Sequence, residues 1–127
     1  MELERRHFIA GSAAVAALGG TAIAQSAEQP MFGLIGRMRA KPGQRTALIA
    51  QLMEGVSNMP GCLSYIIAED MEDADGIWVT EVWDREESHE ASLSLPAVRA
   101  AITRARPLIA EIGAGNVTRP IGGHGLK

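Results

Sequence analysis

One cysteine, few aromatic residues and no surplus of positive charge mark this 127-residue chain, and each scarcity removes a class of function. A lone Cys62 cannot close an intramolecular disulfide, so core packing or assembly must hold the fold. It reads as a small buried side chain in a strand, since no histidine or second cysteine lies near it in sequence. A formal net charge of −3 leaves nothing to neutralise phosphates, which argues against a nucleic-acid partner. His89 and His124 have no second ligand at helical or hairpin spacing, so no metal set is expected. There is no G-x-G-x-x-G, no P-loop and no G-x-S-x-G elbow, which argues against nucleotide sites and elbow hydrolases. The weakly apolar stretch at residues 10–20 is too short, and too rich in Gly and Ala, to span about 30 Å of hydrocarbon.

What is present begins with a leader. Arg5 and Arg6 are followed by His7, Phe8 and Ile9, then by the apolar stretch, then by Ala22-Ile23-Ala24. A charged start, a short apolar middle and small residues at the cleavage positions make a secretory signal, and paired arginines point to the bacterial twin-arginine export machinery. Residues 1–24 are therefore expected to be this signal, His7 included, and the mature protein to be periplasmic. Glu2 and Glu4 leave with Arg5 and Arg6, so the net charge stays at −3. Residues 25–30 read as a linker, 31–121 as one domain and 122–127 as a flexible tail.

Residues 31–40 (MFGLIGRMRA) alternate, with Phe32, Leu34, Met38 and Ala40 on one face and Gly33, Ile35, Arg37 and Arg39 on the other. Lys41-Pro42-Gly43-Gln44 breaks this first strand. Ala47, Leu48, Ile49, Leu52, Met53, Val56 and Met59 form one helical stripe, ended by Asn58-Met59-Pro60-Gly61. Cys62–Glu69 and Ile77–Trp83 read as two strands of a hairpin closed by the acidic loop 70–76. That loop lacks the glycine and terminal glutamate of a calcium-binding EF-hand and reads as a solvated turn.

Asp84, with Glu87 three residues on, predicts a capping-box start to a second helical region, and Pro96 fits the first position of a following helix. Val98, Ala101, Ile102, Ala105, Ile109 and Ile112 carry a helical period past Pro107, which should kink or restart it. Residues 116–121 (NVTRPI) supply a last strand, at an edge because of Pro120. The order β-α-β-β-α-β predicts an α+β, ferredoxin-like fold: a four-stranded antiparallel sheet with both helices on one face. The second and third strands are apolar on both faces, so the face without helices needs a cover. A homodimer is expected.

The element order and three segments together resemble the antibiotic biosynthesis monooxygenase family of dimeric α+β-barrel proteins. The segments are Arg39-Ala40-Lys41-Pro42-Gly43, then Pro60-Gly61-Cys62-Leu63-Ser64-Tyr65, then Glu81-Val82-Trp83-Asp84 leading into Glu87–Pro96. The match spans about residues 31 to 121. The resemblance implies a dimeric α+β barrel and one of several activities, because the family includes cofactor-free oxygenases of quinols and anthrones, haem-degrading enzymes and members without demonstrated catalysis. Many members carry a histidine nine residues after the tryptophan, which here is Ser92, while His89 lies one helical turn earlier. The haem-degrading branch uses an asparagine and a histidine where this chain aligns Gly36 and roughly Ile102, and neither can serve. Haem degradation is disfavoured.

The enzyme reading is cofactor-free oxygenation of a small dihydroxy-aromatic substrate, which donates an electron to dioxygen once deprotonated. The protein must then supply a base, a dry pocket and donors for the phenolate. His89 is the candidate base, since histidine titrates near neutral pH. Trp83 is a candidate pocket wall. Glu81 shares its face and, as a buried carboxylate, needs a role or a partner. Arg37 could hold a substrate oxyanion or pair with Glu81, and Tyr65 offers a hydroxyl or simple packing. The alternatives to an enzyme are a non-catalytic dimeric module for a small aromatic or apolar ligand, and a structural stress protein with no ligand.

Overall fold

The alternating segment forms β1 (Phe32–Ala40), the central strand of the sheet in a computed structural model that describes residues 29–126. The expected twin-arginine leader and residues 25–28 of the expected linker lie outside the described residues. No helix among the described residues is long and apolar enough to cross a membrane. After β1 come α1 (Arg45–Gly55), β2 (Cys62–Glu69), β3 (Gly76–Trp83), α2 (Glu86–Ser92), α3 (Pro96–Ala105), a 3-10 turn (Arg106–Leu108), β4 (Ile109–Ile112) and β5 (Asn116–Thr118). Every pairing is antiparallel, in the order β2-β3-β1-β4, with β5 beside the other half of β1. This is the α+β, ferredoxin-like fold that the element order predicts, with five strands in place of the expected four.

The register sorts the two faces. Phe32 pairs with Trp83, Leu34 with Glu81, Gly36 with Val79 and Met38 with Ile77, while Tyr65 and Ile67 of β2 stand opposite Glu81 and Val79. These residues share the face that the helices cover. The core there comprises Ala40, Leu48, Ile77, Val79 and Ala105, with Met38, Leu52, Tyr65 and Ile67 packed against it. A Cβ on Gly55 would lie 2.8 Å from that of Ala101, so α1 and α3 approach at a point where only hydrogen fits. Gly61, at φ +86°, turns the chain from α1 into β2 in a backbone conformation that favours glycine.

Several expectations are corrected. Ile109 and Ile112 do not continue the last helix. The chain leaves α3 at Ala105, turns through Arg106-Pro107-Leu108 and re-enters the sheet as β4. Pro107 cannot donate the next helical hydrogen bond, whereas the β1 edge offers partners at Met38, Arg39 and Ala40. Asp84 and Glu87 form no capping box: α2 starts after Arg85 with no side-chain cap, and Glu86 and Glu87 favour its N-terminus by charge alone. Cys62 is half-buried, not buried: a bulge between Cys62 and Ser64 pairs it with Trp83 at the margin of the sheet, on the face of Tyr65. Burial pushes its thiol pKa up, and it remains a weak donor to the Ser64 carbonyl.

The acidic loop is not a solvated turn. Arg37 Nε donates to Asp70 Oδ2 at 3.0 Å and Nη2 to Asp73 Oδ2 at 2.7 Å, while Arg39 Nε donates to the same Asp73 oxygen at 2.8 Å. Arg45 Nη1 reaches the Asp70 and Asp73 carbonyls, and Trp78 Nε1 donates to Asp70. The loop is thereby latched to β1 and α1. Hydrogen bonds from Arg39, the Asp75 amide and Arg37 hold the Asp73 carboxyl far below the usual carboxylate range; the Glu72 amide and Arg37 lower Asp70.

A carboxyl lowered in the folded state adds stability that is fully present above its unfolded pKa of about 3.9 and drains away as pH falls through the folded value. We therefore expect the urea midpoint to fall from about pH 4 downwards, and Asp73→Asn to start lower and flatten that decline. Equal acid slopes for the two proteins would contradict the latch.

Candidate active site

The third strand delivers the acid and the indole, and the short helix after it folds back to deliver the imidazole. Glu81 and Trp83 are two residues apart on β3, hence on one face, and that face is under the helices. Trp83 is 1% exposed, and its Nε1 donates to Glu81 Oε1 at 2.9 Å. Glu81 is half-buried, not buried, and its carboxylate finds a partner in the indole. His89 lies one turn into α2, with Nε2 3.9 Å from the same Glu81 oxygen. Its ring meets Trp83 edge-on at 5.5 Å and tilts over Phe32 at 5.3 Å. Ser92, buried at the end of α2, donates to the His89 carbonyl at 2.6 Å and fixes the turn that carries the imidazole.

These groups line a cavity of about 110 Å³ between helices and sheet. Tyr65, Glu81, Trp83, His89 and Ser92 supply its polar groups, and Leu52, Val56, Met59, Val98 and Ile102 are among its apolar walls. Burial, with a smaller contribution from the Glu81 charge, pushes the Tyr65 hydroxyl far above its ordinary pKa. Tyr65 is therefore a neutral donor at the pH where histidine accepts a proton. Chemically, the arrangement holds a proton acceptor, a carboxylate to stabilise the imidazolium formed, and a hydroxyl donor, all against an apolar lining.

Four of the five residues expected at a site therefore line one chamber: His89, Trp83, Glu81 and Tyr65. Arg37 does not pair with Glu81. In β1 it stands opposite Trp78 on the sheet's other face, its guanidinium 5.9 Å from the Trp78 ring and held by Asp70 and Asp73. The alternation had already put Arg37 on the face of Ile35, but only the register shows that Glu81 faces Leu34. Phe32 and Ser92 escaped sequence reasoning as site residues. Phe32 carried a usable signal, its shared face with Leu34; the hydroxyl of Ser92 acts on a carbonyl three residues back, which no pattern reveals. Among the described residues, no cluster of three His, Cys, Asp or Glu side chains could hold a metal ion.

Residues 31–104 match the family profile described as antibiotic biosynthesis monooxygenase. A crystal structure from Chloroflexus aurantiacus J-10-fl, assigned to the antibiotic biosynthesis monooxygenases, is 63% identical; the match covers 76% of this chain and 99% of that one, with a TM-score of 0.74. PA3566 from Pseudomonas aeruginosa is 20% identical over 74% of this chain and 97% of its own, with a TM-score of 0.66. A variant of SnoaB, a cofactor-independent oxygenase from Streptomyces nogalater, is 13% identical over 72% and 94%, with a TM-score of 0.59. The last two are likenesses of fold. No curated protein sequence matches the chain.

Proposed function

The chain belongs to the antibiotic biosynthesis monooxygenase family, and we propose that it oxidises a quinol-type dihydroxy-aromatic with dioxygen, without a cofactor. One observation carries the reading: a base, a carboxylate, an indole and a hydroxyl converge on a single apolar chamber. His89 takes the proton of a substrate hydroxyl, and Glu81 stabilises the imidazolium. Tyr65 donates to the resulting oxyanion. The phenolate then gives one electron to dioxygen, and the two radicals join at a ring carbon. Losing water converts the hydroperoxide, so that one oxygen atom ends on the ring and the other leaves as water. A quinol thus becomes a hydroxyquinone, and its four electrons reduce the dioxygen.

The test is oxygen uptake by metal-free protein with 1,4-naphthohydroquinone. Uptake well above the buffer rate, with hydroxyquinone as product, is expected. Uptake no faster than buffer across several quinols would overturn the oxygenase, and saturable quenching of tryptophan fluorescence in the same samples would leave a binding module in its place.

We further infer that the working form is a homodimer. Ile35, Ile66 and Trp78 stand 37%, 54% and 41% exposed on the sheet face that no helix among the described residues covers. An apolar sheet face of this kind is normally buried against a partner, and a second copy supplies a matching surface. Light scattering at micromolar concentration should give twice the subunit mass; a mass near one subunit would refute this.

A further inference from the structure

The chamber at His89 is small for the substrate proposed. Its volume of about 110 Å³ is below the roughly 150 Å³ of an engineered cavity that holds one benzene ring. Beside it lies a second hollow of about 230 Å³ on the same face of the sheet, and Tyr65 and Glu81 line both. Its other walls include Leu34, Gly36, Val79 and Ile112. It sits where the edge of β1 loses its neighbour: β4 pairs as far as Met38, β5 begins at Ile35, and Gly113–Gly115 bridge the gap.

Gly36 is the floor. A Cβ built there meets nothing within 4 Å, so neither a neighbouring side chain nor the backbone requires a glycine. Its φ is not positive, so no backbone conformation requires one either. Glycine inside a strand weakens it by conformational entropy and lost packing, and a β-branched residue would be the better strand former. A residue that costs stability and satisfies no steric need of the fold leaves one account, which is the space it keeps open.

We propose that the two hollows form one two-lobed site: the ring to be oxidised occupies the His89 chamber, and an apolar substituent or further ring extends past Tyr65 and Glu81 over Gly36. The substrate class is accordingly a dihydroxy-aromatic larger than a single ring. Gly36 sets the size accepted by the second lobe. This assignment rests on the quinol reading for the identity of the first ring, but its test does not require turnover.

Binding is measured anaerobically by tryptophan fluorescence, with hydroquinone and 2-hexylhydroquinone as probes. The wild-type chain should bind the hexyl compound at least tenfold more tightly. Gly36→Val should weaken hexylhydroquinone at least tenfold and hydroquinone less than twofold, with Gly36→Ala between, while the thermal midpoints of both variants stay level or rise. Equal affinities of wild-type protein for the two probes, or equal losses for both in Gly36→Val, would overturn the second lobe. Selective loss without oxygen uptake on any quinol would keep the lobe and end the oxygenase reading. Uptake with no selectivity would do the reverse.

Discussion

Alanine at His89 is expected to lower kcat for oxygen uptake by about 10²- to 10⁴-fold, the range over which positioned general bases contribute. The imidazole is the candidate general base of the chamber, and its Nε2 sits 3.9 Å from Glu81 Oε1. Its loss should act on kcat more than on KM, because the apolar walls that hold the ring remain. Glu81→Gln removes the charge but keeps an acceptor for the Trp83 indole, and should cost less than His89→Ala. The two variants in one oxygen-electrode series, with circular dichroism to confirm folding, make the comparison. A kcat for His89→Ala within threefold of wild type would remove the histidine from the mechanism.

Trp83→Ala should cost about 3–5 kcal/mol of stability. Trp83 is among the largest fully buried side chains of the described residues, and a domain of this size has about 5–15 kcal/mol in all. Two losses combine. The indole leaves a hole between β3, α2 and the first strand, and the half-buried Glu81 carboxylate loses the indole donor. Trp83→Phe restores most of the ring area but not the hydrogen bond, so it should fall between alanine and wild type. Urea denaturation of the three proteins decides the matter. A loss below about 1 kcal/mol for alanine would mean that the indole serves the ligand and not the fold.

How much of this was legible without coordinates depends on which physical signal each element carried. Strands at 32–40, 62–69 and 76–83 announce themselves by alternation and β-branched content, and proline at 96 marks the start of α3. Ile109 and Ile112 misled because apolar residues three and four apart fit a helix as well as a short strand, and only the open edge of β1 decides between them. The gathering of Glu81, Trp83 and His89 was half readable. The two strand residues share a face by parity, but the fold-back that brings α2 onto that face depends on packing between distant segments. Arg37 failed for a related reason. Parity placed it correctly, yet its partners came from Asp70 and Asp73, 33 and 36 residues away, across a loop whose acids looked destined for water.

The two margins of the sheet carry a last consequence. Among the described residues, one border is divided between a four-residue and a three-residue strand with glycines at 113 and 115 between them; on the other, a bulge at Cys62–Ser64 distorts the start of the border strand and leaves a short regular run, Ser64–Glu69. Neither offers a long, flat row of free amides and carbonyls on which a stray polypeptide could add itself. The native form therefore gives fibrous aggregation little to start from, and crowding should drive the protein towards precipitation only after it has unfolded.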